Sequence, residues 1–425
     1  MWARKRIDIG VSDLIVSTGK CLFPGTAASA RSRIANYFQW ELPFVCLSVR
    51  SGFDLALASA IEVYSWEPDS EIIFSGLTIP DMPLIAAENG LKAVGADIDW
   101  ATLTPSAAEI ESKINSRTRA IVVAHLMGGK LDLTEISEIA HRHGLLLIED
   151  CAQSFSGKTH QADKSADISM LSFGSIKTNT ALGGAVFRVQ DSELQTEMEK
   201  RHAQWPIRST TIFLKRLVKY FFVKTISTWP FAAAIRLSFQ IRGSNHDAMA
   251  AGMARGFSGP NFFQQIRHQP SVALQNLLAT RLEQFNPGLI ATRTDRGELL
   301  SRVISEDYSN VKQLGFSANR RSHWVFAVLV ANPKELVQTL WNRGFDATTH
   351  CSLVPVGGDK ASPFHKKIMR HIVFLPIDPP MPNRELVRMG KIVAQNAKGV
   401  ELQCPDPIAM NQRVHRHQLL ASKVD

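Results

Sequence analysis

One lysine, Lys177, stands in the stretch SFGSIKTNTALGGAV (residues 172–186), among small and hydroxyl residues that lead into a double glycine. A surface lysine ordinarily has charged or bulky polar neighbours, and this one has none. An amine set apart in this way suits covalent catalysis, because a lowered pKa supplies free base. Its commonest partner is an aldehyde cofactor held as a Schiff base.

Such a cofactor makes three further demands, and the sequence has candidates for each. A carboxylate must keep a ring nitrogen protonated, since the protonated ring is the electron sink for a carbanion. Asp150, closing the apolar run LLLIED, is placed for that. A phosphate wants hydroxyls and backbone N–H groups at a helix start. RSGF at 50–53 offers Ser51, Gly52 and Phe53 ahead of the helical run DLALASAIEVY, and Ser172 lies just upstream of Lys177. Polar groups must fix the ring, and Gln153 and His125 are the candidates. Together these residues suit pyridoxal 5'-phosphate. Each also has a plain structural alternative: a solvated lysine, Asp150 as a cap, His125 as a satisfied core histidine, Ser51 and Gly52 as a simple N-cap.

The elements that must position these residues read as α/β. Over 70–190, short apolar runs alternate with helical patterns, the mark of βαβ units and a mostly parallel sheet. EIIFSG, LKAVGADI, RAIVVAH and LLLIED predict strands. MPLIAAENG, TPSAAEIESKIN (with Thr104 as cap) and DLTEISEIAHRHG predict helices. Ligands of such sheets collect at the carboxyl ends of the strands, where His125, Asp150 and the 172–186 loop fall. Further on, PSVALQNLLATRLEQF predicts a long helix punctuated by NPG at 286–288, and HWVFAVLVANPKELVQTLWNRGFDATTH predicts strand, helix, strand.

A chain of 425 residues, 45% hydrophobic, can bury a large core. The expected division is a large domain over 1–290 and a smaller α+β domain over 291–425 with a loose polar tail. No stretch near the N-terminus pairs an apolar core with a small-residue cleavage site, so export is not expected. The cysteines Cys21, Cys46, Cys151, Cys351 and Cys404 lack CxxC or Cys/His spacing. Neither a disulfide framework nor a metal site is predicted, and a cytoplasmic setting fits.

The net charge of +9 is concentrated. From Lys200 to His246 there is no Asp or Glu, while Lys200, Arg201, Arg208, Lys215, Arg216, Lys219, Lys224, Arg236 and Arg242 supply nine cations. Within this insert, about 205–245, Phe213, Leu214, Leu217, Val218, Phe221 and Phe222 recur at helical spacing opposite Lys215, Arg216 and Lys219. That pattern fits peripheral membrane contact through 212–242 or a helix packed on the protein itself, and the uncharged run Thr225–Ile235 is too short to span a bilayer. Nucleic acid is not an expected partner, because the aromatics do not interleave with the cations.

The order SG…EIIFSGLT…DIDW…TRAIVVAHLMGG…LLLIEDCAQS…ADISMLSFGSIKT…LGGAV resembles the DegT/DnrJ/EryC1/StrS family of fold-type I, pyridoxal-phosphate-dependent aminotransferases. The resemblance covers 50–190 and resumes in LVQTLWNRGFDATTHCSLVP and FLPIDPPMPNREL; the pairing of D-x-A-Q with S-F-x-x-x-K is its most specific feature. It implies Lys177 as the Schiff-base lysine, Asp150 as partner of the pyridine nitrogen, Gln153 on the cofactor ring and Ser172 on its phosphate. Ser51 and Gly52 match the phosphate-binding helix start. Asn261, in SGPNFF, would reach the phosphate of a neighbouring subunit, which implies a homodimer. The family chiefly aminates nucleotide-linked keto sugars, so the expected reaction moves an amino group from glutamate to such a sugar, for polysaccharide or secondary-metabolite synthesis.

Two departures stand out. The family's SGTAAL reads SGFDLAL here, which removes a threonine hydroxyl and sets Asp54 where it would repel phosphate unless turned away. The usual TF or TW is TIP at 78–80, leaving ring stacking to Ile79 or a neighbour. Two other readings accommodate parts of this pattern. A dehydratase of the same family would be expected to replace the lysine, usually by histidine. A non-catalytic or regulatory membrane-associated protein on the same fold would explain the altered contacts.

Overall fold

The computed structural model describes residues 2, 7–158, 162–226, 257, 259–306, 310–318 and 320–400. Seven runs build the main sheet: β1 (Phe44–Cys46), β2 (Glu71–Ser75), β3 (Lys92–Ala96), β4 (Thr118–Ala124), β5 (Leu146–Asp150), β6 (Ile168–Ser172) and β7 (Ala185–Val189). Their spatial order is β1-β7-β6-β5-β4-β2-β3. The pairs from β6 across to β3 are parallel, and β7 runs antiparallel to both of its neighbours.

Both faces of this sheet are covered, which is why its central strands are continuously apolar instead of alternating with polar residues. Ile72 and Phe74 of β2, Val122 of β4 and Ile148 of β5 enter one core with Phe53, Leu57 and Met82. Ile73, Ile121, Val123 and Leu147 enter the other with Ile110, Ile136 and Ile139. The covering helices of this part are α1 (Val11–Leu22), α2 (Ala27–Phe38), α3 (Val49–Val63), α4 (Asp81–Glu88), α5 (Ala107–Lys113), α6 (Thr134–Arg142), α7 (Ser192–Ala203), α8 (Thr210–Ile226), α9 (Phe262–Ile266) and α10 (Val272–Glu283).

A second core follows. Helices α11 (Pro287–Glu306), α12 (Pro333–Asn342), α13 (Pro363–His371) and α14 (Asn383–Asn396) accompany an antiparallel sheet β8-β9-β10, formed by Lys312–Gln313, Phe326–Leu329 and Ile372–Leu375. Leu300, Phe326, Val328, Leu340, Phe345 and Val373 are buried together there. Two short antiparallel ladders tie the parts: Leu77–Thr78 with Pro355–Val354, and Gly129–Lys130 with Arg321–Arg320.

Several boundaries differ from the sequence expectation. The cap of α5 is Ser106, whose hydroxyl accepts the Glu109 N–H at 3.0 Å; Thr104 instead pairs with Asp99 in a short ladder. Helix α3 starts at Val49 on the Ser48 cap, so RSGF lies inside the helix and not ahead of it. After α12 the expected strand is reduced to two isolated bridges, Phe345 to Trp2 and Thr348 to Phe374.

The basic segment also sits differently from a helix with segregated faces. Phe213, Leu217 and Tyr220 of α8 are buried against the body. Arg216 donates to the Leu182 carbonyl at 2.9 Å, and Lys224 donates to the Ile7 carbonyl at 3.1 Å, so two of the cations anchor the helix to the protein. The outward face mixes Ile212, Val218 and Phe222 with Lys215 and Lys219. The remainder of the 212–242 stretch, from 227 on, lies outside the described residues, as does the polar tail from 401. No helix among the described residues is long and apolar enough to cross a membrane.

Close packing of α3 on the sheet depends on Gly52. A Cβ there would lie 2.2 Å from Phe187 Cζ, and Phe187 is itself fully buried in β7. Gly52→Ala is therefore expected to cost about 1–3 kcal/mol by overpacking, measured by denaturant unfolding. Phe187→Leu in the same chain should recover part of that loss, whereas simple additivity would show that the two residues do not clash.

Candidate active site

Parallel pairing brings the ends of β5 and β6 to one edge of the sheet, with Met170 in register with Asp150 and Ser172 two residues beyond. The chain then turns through the loop that carries Lys177 before entering β7. Phe173 stitches this loop: its carbonyl accepts the N–H groups of Ala181 (3.0 Å) and Gly183 (3.1 Å), and its N–H donates to the Gly184 carbonyl. Asn179 turns at φ +56° with its N–H on Asp8 Oδ2 at 2.6 Å. Lys177 donates its own N–H to the Gly174 carbonyl at 2.9 Å. The side chains converge around Gly174, where a Cβ would lie 3.8 Å from both Lys177 Cγ and Ser172 Oγ.

The electrostatics follow from burial. Burial lowers the Lys177 amine to about 8, with Asp150 opposing the shift and Arg50 adding to it. Burial also raises the Asp150 carboxyl, against the opposing pull of the Ala152 N–H and Lys177. One Asp150 oxygen accepts the Ala152 N–H at 2.8 Å, and the other has no hydrogen-bond donor among the described residues. The ring of Trp324, from just before β9, lies 4.6 Å from the Lys177 amine.

Gln153 accepts the Met127 N–H through Oε1 at 2.9 Å, which leaves its Nε2 group without a partner among the described residues. The Ser172 hydroxyl likewise has no hydrogen-bond partner among the described residues. His125 is differently employed. Its Nδ1 accepts the Leu131 N–H at 3.1 Å, so the ring proton is on Nε2, which is 2.7 Å from Glu149 Oε1. Burial pushes Glu149 up, but the His125 contact and the Asp163 N–H more than offset it and hold the carboxylate at about 2. Both ring nitrogens of His125 thus serve a buried network beneath Asp150. The ligand atoms of His125, Glu149 and Cys151 lie within 4.8 Å of one another, and the first two are already spent on that network.

The start of α3 distributes its groups in a way the sequence did not reveal. Ser48 caps the helix: its hydroxyl accepts the Ser51 N–H at 3.1 Å and lies 2.9 Å from Ser51 Oγ, while its carbonyl accepts the Gly52 N–H. Phe53 is fully buried, edge-on to Phe74, and forms core. Asp54 has turned away, buried between Arg267 (2.8 and 3.1 Å) and Asn89 Nδ2 (3.1 Å). Ile79 is partly buried beside Thr78, which the Val354 pairing holds. Asn261 is exposed just before α9, and among the described residues no hydrogen bond joins it to the Lys177 loop.

Lys177, Asp150, Gln153 and Ser172 are therefore at one edge, with the α3 start adjoining through Arg50. Trp324, Ser48, Arg50 and Arg267 join them unforeseen. Ser48 and Arg50 had a local signal, lying three and one residues before Ser51; Trp324 and Arg267 arrive through tertiary folding. The donor set fits pyridoxal phosphate: an amine near neutrality, a carboxylate oxygen awaiting an N–H, a free hydroxyl and a free amide.

Comparison with known proteins agrees. The profile of the DegT/DnrJ/EryC1/StrS aminotransferase family matches residues 33–206. L-glutamine:2-deoxy-scyllo-inosose aminotransferase of Streptomyces kanamyceticus is 32% identical over 179 residues, 41% of this chain and 42% of that protein. UDP-2-acetamido-2-deoxy-3-oxo-D-glucuronate aminotransferase of Pseudomonas aeruginosa is 29% identical over 208 residues, 47% of this chain and 56% of that one. The chain thus spans about half the length of these relatives. The crystal structure of the aminotransferase TlmJ from Streptoalloteichus hindustanus superposes with a TM-score of 0.67 at 16% identity, covering 93% of this chain and 98% of that one, so the fold is that of the fold-type I aminotransferases. The segment that builds the site, residues 33–206, is thus similar to the DegT/DnrJ/EryC1/StrS aminotransferase family.

Proposed function

We propose that this chain is a pyridoxal-phosphate-dependent aminotransferase that moves the amino group of glutamate to a nucleotide-linked keto sugar. The observation that carries the reading is the Lys177 amine, lowered to about 8, at the same sheet edge as the partly buried carboxylate of Asp150. The names of the matched relatives, aminotransferases of a cyclic polyol ketone and of a nucleotide-linked oxo sugar acid, support the substrate class.

Bound cofactor would supply the carbonyl that captures the donor's amine and the ring that spreads the negative charge left on carbon. Lys177 then has a second duty: its free amine takes the proton from the substrate carbon and returns it one position away, acting as base and then acid. Asp150 holds the proton on the ring nitrogen through the oxygen that lacks a donor. Gln153 orients the ring through Nε2, Ser172 binds the phosphate, and Trp324 covers the amine from the side of the second core. His125 and Glu149 act one layer deeper, fixing the β4 and β5 ends. Lys177 retained in a transaminating role argues against the dehydratase reading.

A homodimer belongs to this proposal, since the exposed Asn261 is available to a neighbouring subunit. Peripheral membrane contact through α8 is a second reading, supported by the outward Ile212, Val218 and Phe222 interspersed with Lys215 and Lys219.

Mixing the protein with pyridoxal phosphate should give the visible band of a lysine-bound cofactor, and glutamate should shift it to the ultraviolet. Lys177→Ala should lose the band and at least about 10²-fold of transamination; a band unchanged in that variant would sink the assignment. Because the Lys177 pKa is lowered to about 8, its neutral fraction rises as pH passes through that value. Cofactor loading should therefore quicken across roughly pH 7 to 9 and level off above, a profile read by stopped-flow absorbance. For the membrane reading, co-sedimentation with phosphatidylserine vesicles should fall when Ile212 and Phe222 are both changed to Ser; equal sedimentation of both proteins would remove it.

A further inference from the structure

We propose that Arg50 is the cation with which this chain, alongside Ser172, holds the cofactor's phosphate, and that Asp81 fixes the Arg50 guanidinium through its Nε edge. The inference rests on the reading of the site as one for pyridoxal phosphate.

The motif SGFD retains little capacity for an anion. The Ser51 and Gly52 N–H groups are spent on Ser48, the Ser51 hydroxyl lies against the Ser48 hydroxyl, and Phe53 faces the core. A phosphate monoester carries roughly −1.5 to −2 charges at neutral pH, and two backbone N–H groups, those of Val49 and Arg50, are a small response to it. The first turn of α3 does contain a cation, however, and it is Arg50.

Its side chain is three-quarters buried, and its Nε is ion-paired with Asp81 at the start of α4. The two terminal nitrogens of the same guanidinium have no partner among the described residues. A guanidinium with one edge held and the other edge free is arranged to receive two oxygens of a phosphate at once. Arg50 is also close enough to the cofactor lysine for its charge to depress the Lys177 amine. The carboxylate that would have opposed a phosphate here, Asp54, is neutralised elsewhere by Arg267. Arg50 thus replaces by charge what the missing threonine hydroxyl would have given by hydrogen bonding.

The test compares pyridoxal phosphate with pyridoxal, which lacks the phosphate, by titrating the visible band in wild type, Arg50→Gln and Arg50→Lys. At a pH above the loading midpoint of every variant, the affinity for pyridoxal phosphate should fall about 10- to 100-fold in Arg50→Gln, with Arg50→Lys in between, while the affinity for pyridoxal stays level. Inorganic phosphate should compete with pyridoxal phosphate in wild type and less so in Arg50→Gln. The pH midpoint of loading should rise in Arg50→Gln, because a cation that disfavours protonated Lys177 is gone. Equal pyridoxal phosphate affinity in wild type and Arg50→Gln, or an equal loss of both ligands, would overturn the role of Arg50 while leaving the cofactor site intact. Failure of wild type to bind either ligand at Lys177 would instead overturn the cofactor reading, and this inference with it.

Discussion

A partly buried amine and a partly buried carboxylate at one sheet edge, Lys177 and Asp150, are the constraint around which this site is organised. Burial favours the neutral form of each, and their mutual attraction favours the charged form. The result is a Lys177 amine near 8 and an Asp150 carboxyl raised by its surroundings, a balance that water would erase. Holding it requires a dry floor. That floor is the sheet, where Ile72, Val122, Ile148 and Met170 seal one side and Ile73, Ile121, Val123 and Leu147 the other.

Topology explains why the two groups meet at all. Asp150 and Ser172 end neighbouring parallel strands, and the chain must reverse before β7 because that strand runs antiparallel. The reversal is the loop bearing Lys177, and its positive φ at Asn179 and Leu182 marks how tightly it turns. Beneath it, His125 and Glu149 join β4 to β5 through a buried hydrogen bond, so that Asp150 follows a residue held in place. The C-terminal part contributes Trp324 from above, fastened through the ladders at Leu77–Thr78 and Gly129–Lys130.

The strands and the Lys177–Asp150–Gln153 set were legible because they rest on short-range patterns: apolar runs, and residues at fixed spacing around them. What escaped reading depends on distance or on one-residue differences. Asp54 looked like a liability until Arg267, far along the chain, took it up. Ser48 shifts the start of α3 enough to turn Phe53 from a site residue into core. The α8 pattern shows hydrophobic and basic residues but not which surface they face; Arg216 and Lys224 turn inward to backbone carbonyls that no local rule anticipates. His125 has the residue type of a ligand, and only the Leu131 N–H reveals that its ring is already committed.

The central claim is that Lys177, among all the lysines of the chain, is the amine that carries the cofactor. The most direct measurement is borohydride reduction of the protein loaded with pyridoxal phosphate, followed by proteolysis and mass spectrometry of the peptides. One stoichiometric pyridoxyl adduct, on Lys177, is expected. An adduct spread over surface lysines, or one concentrated on any other residue, would contradict it.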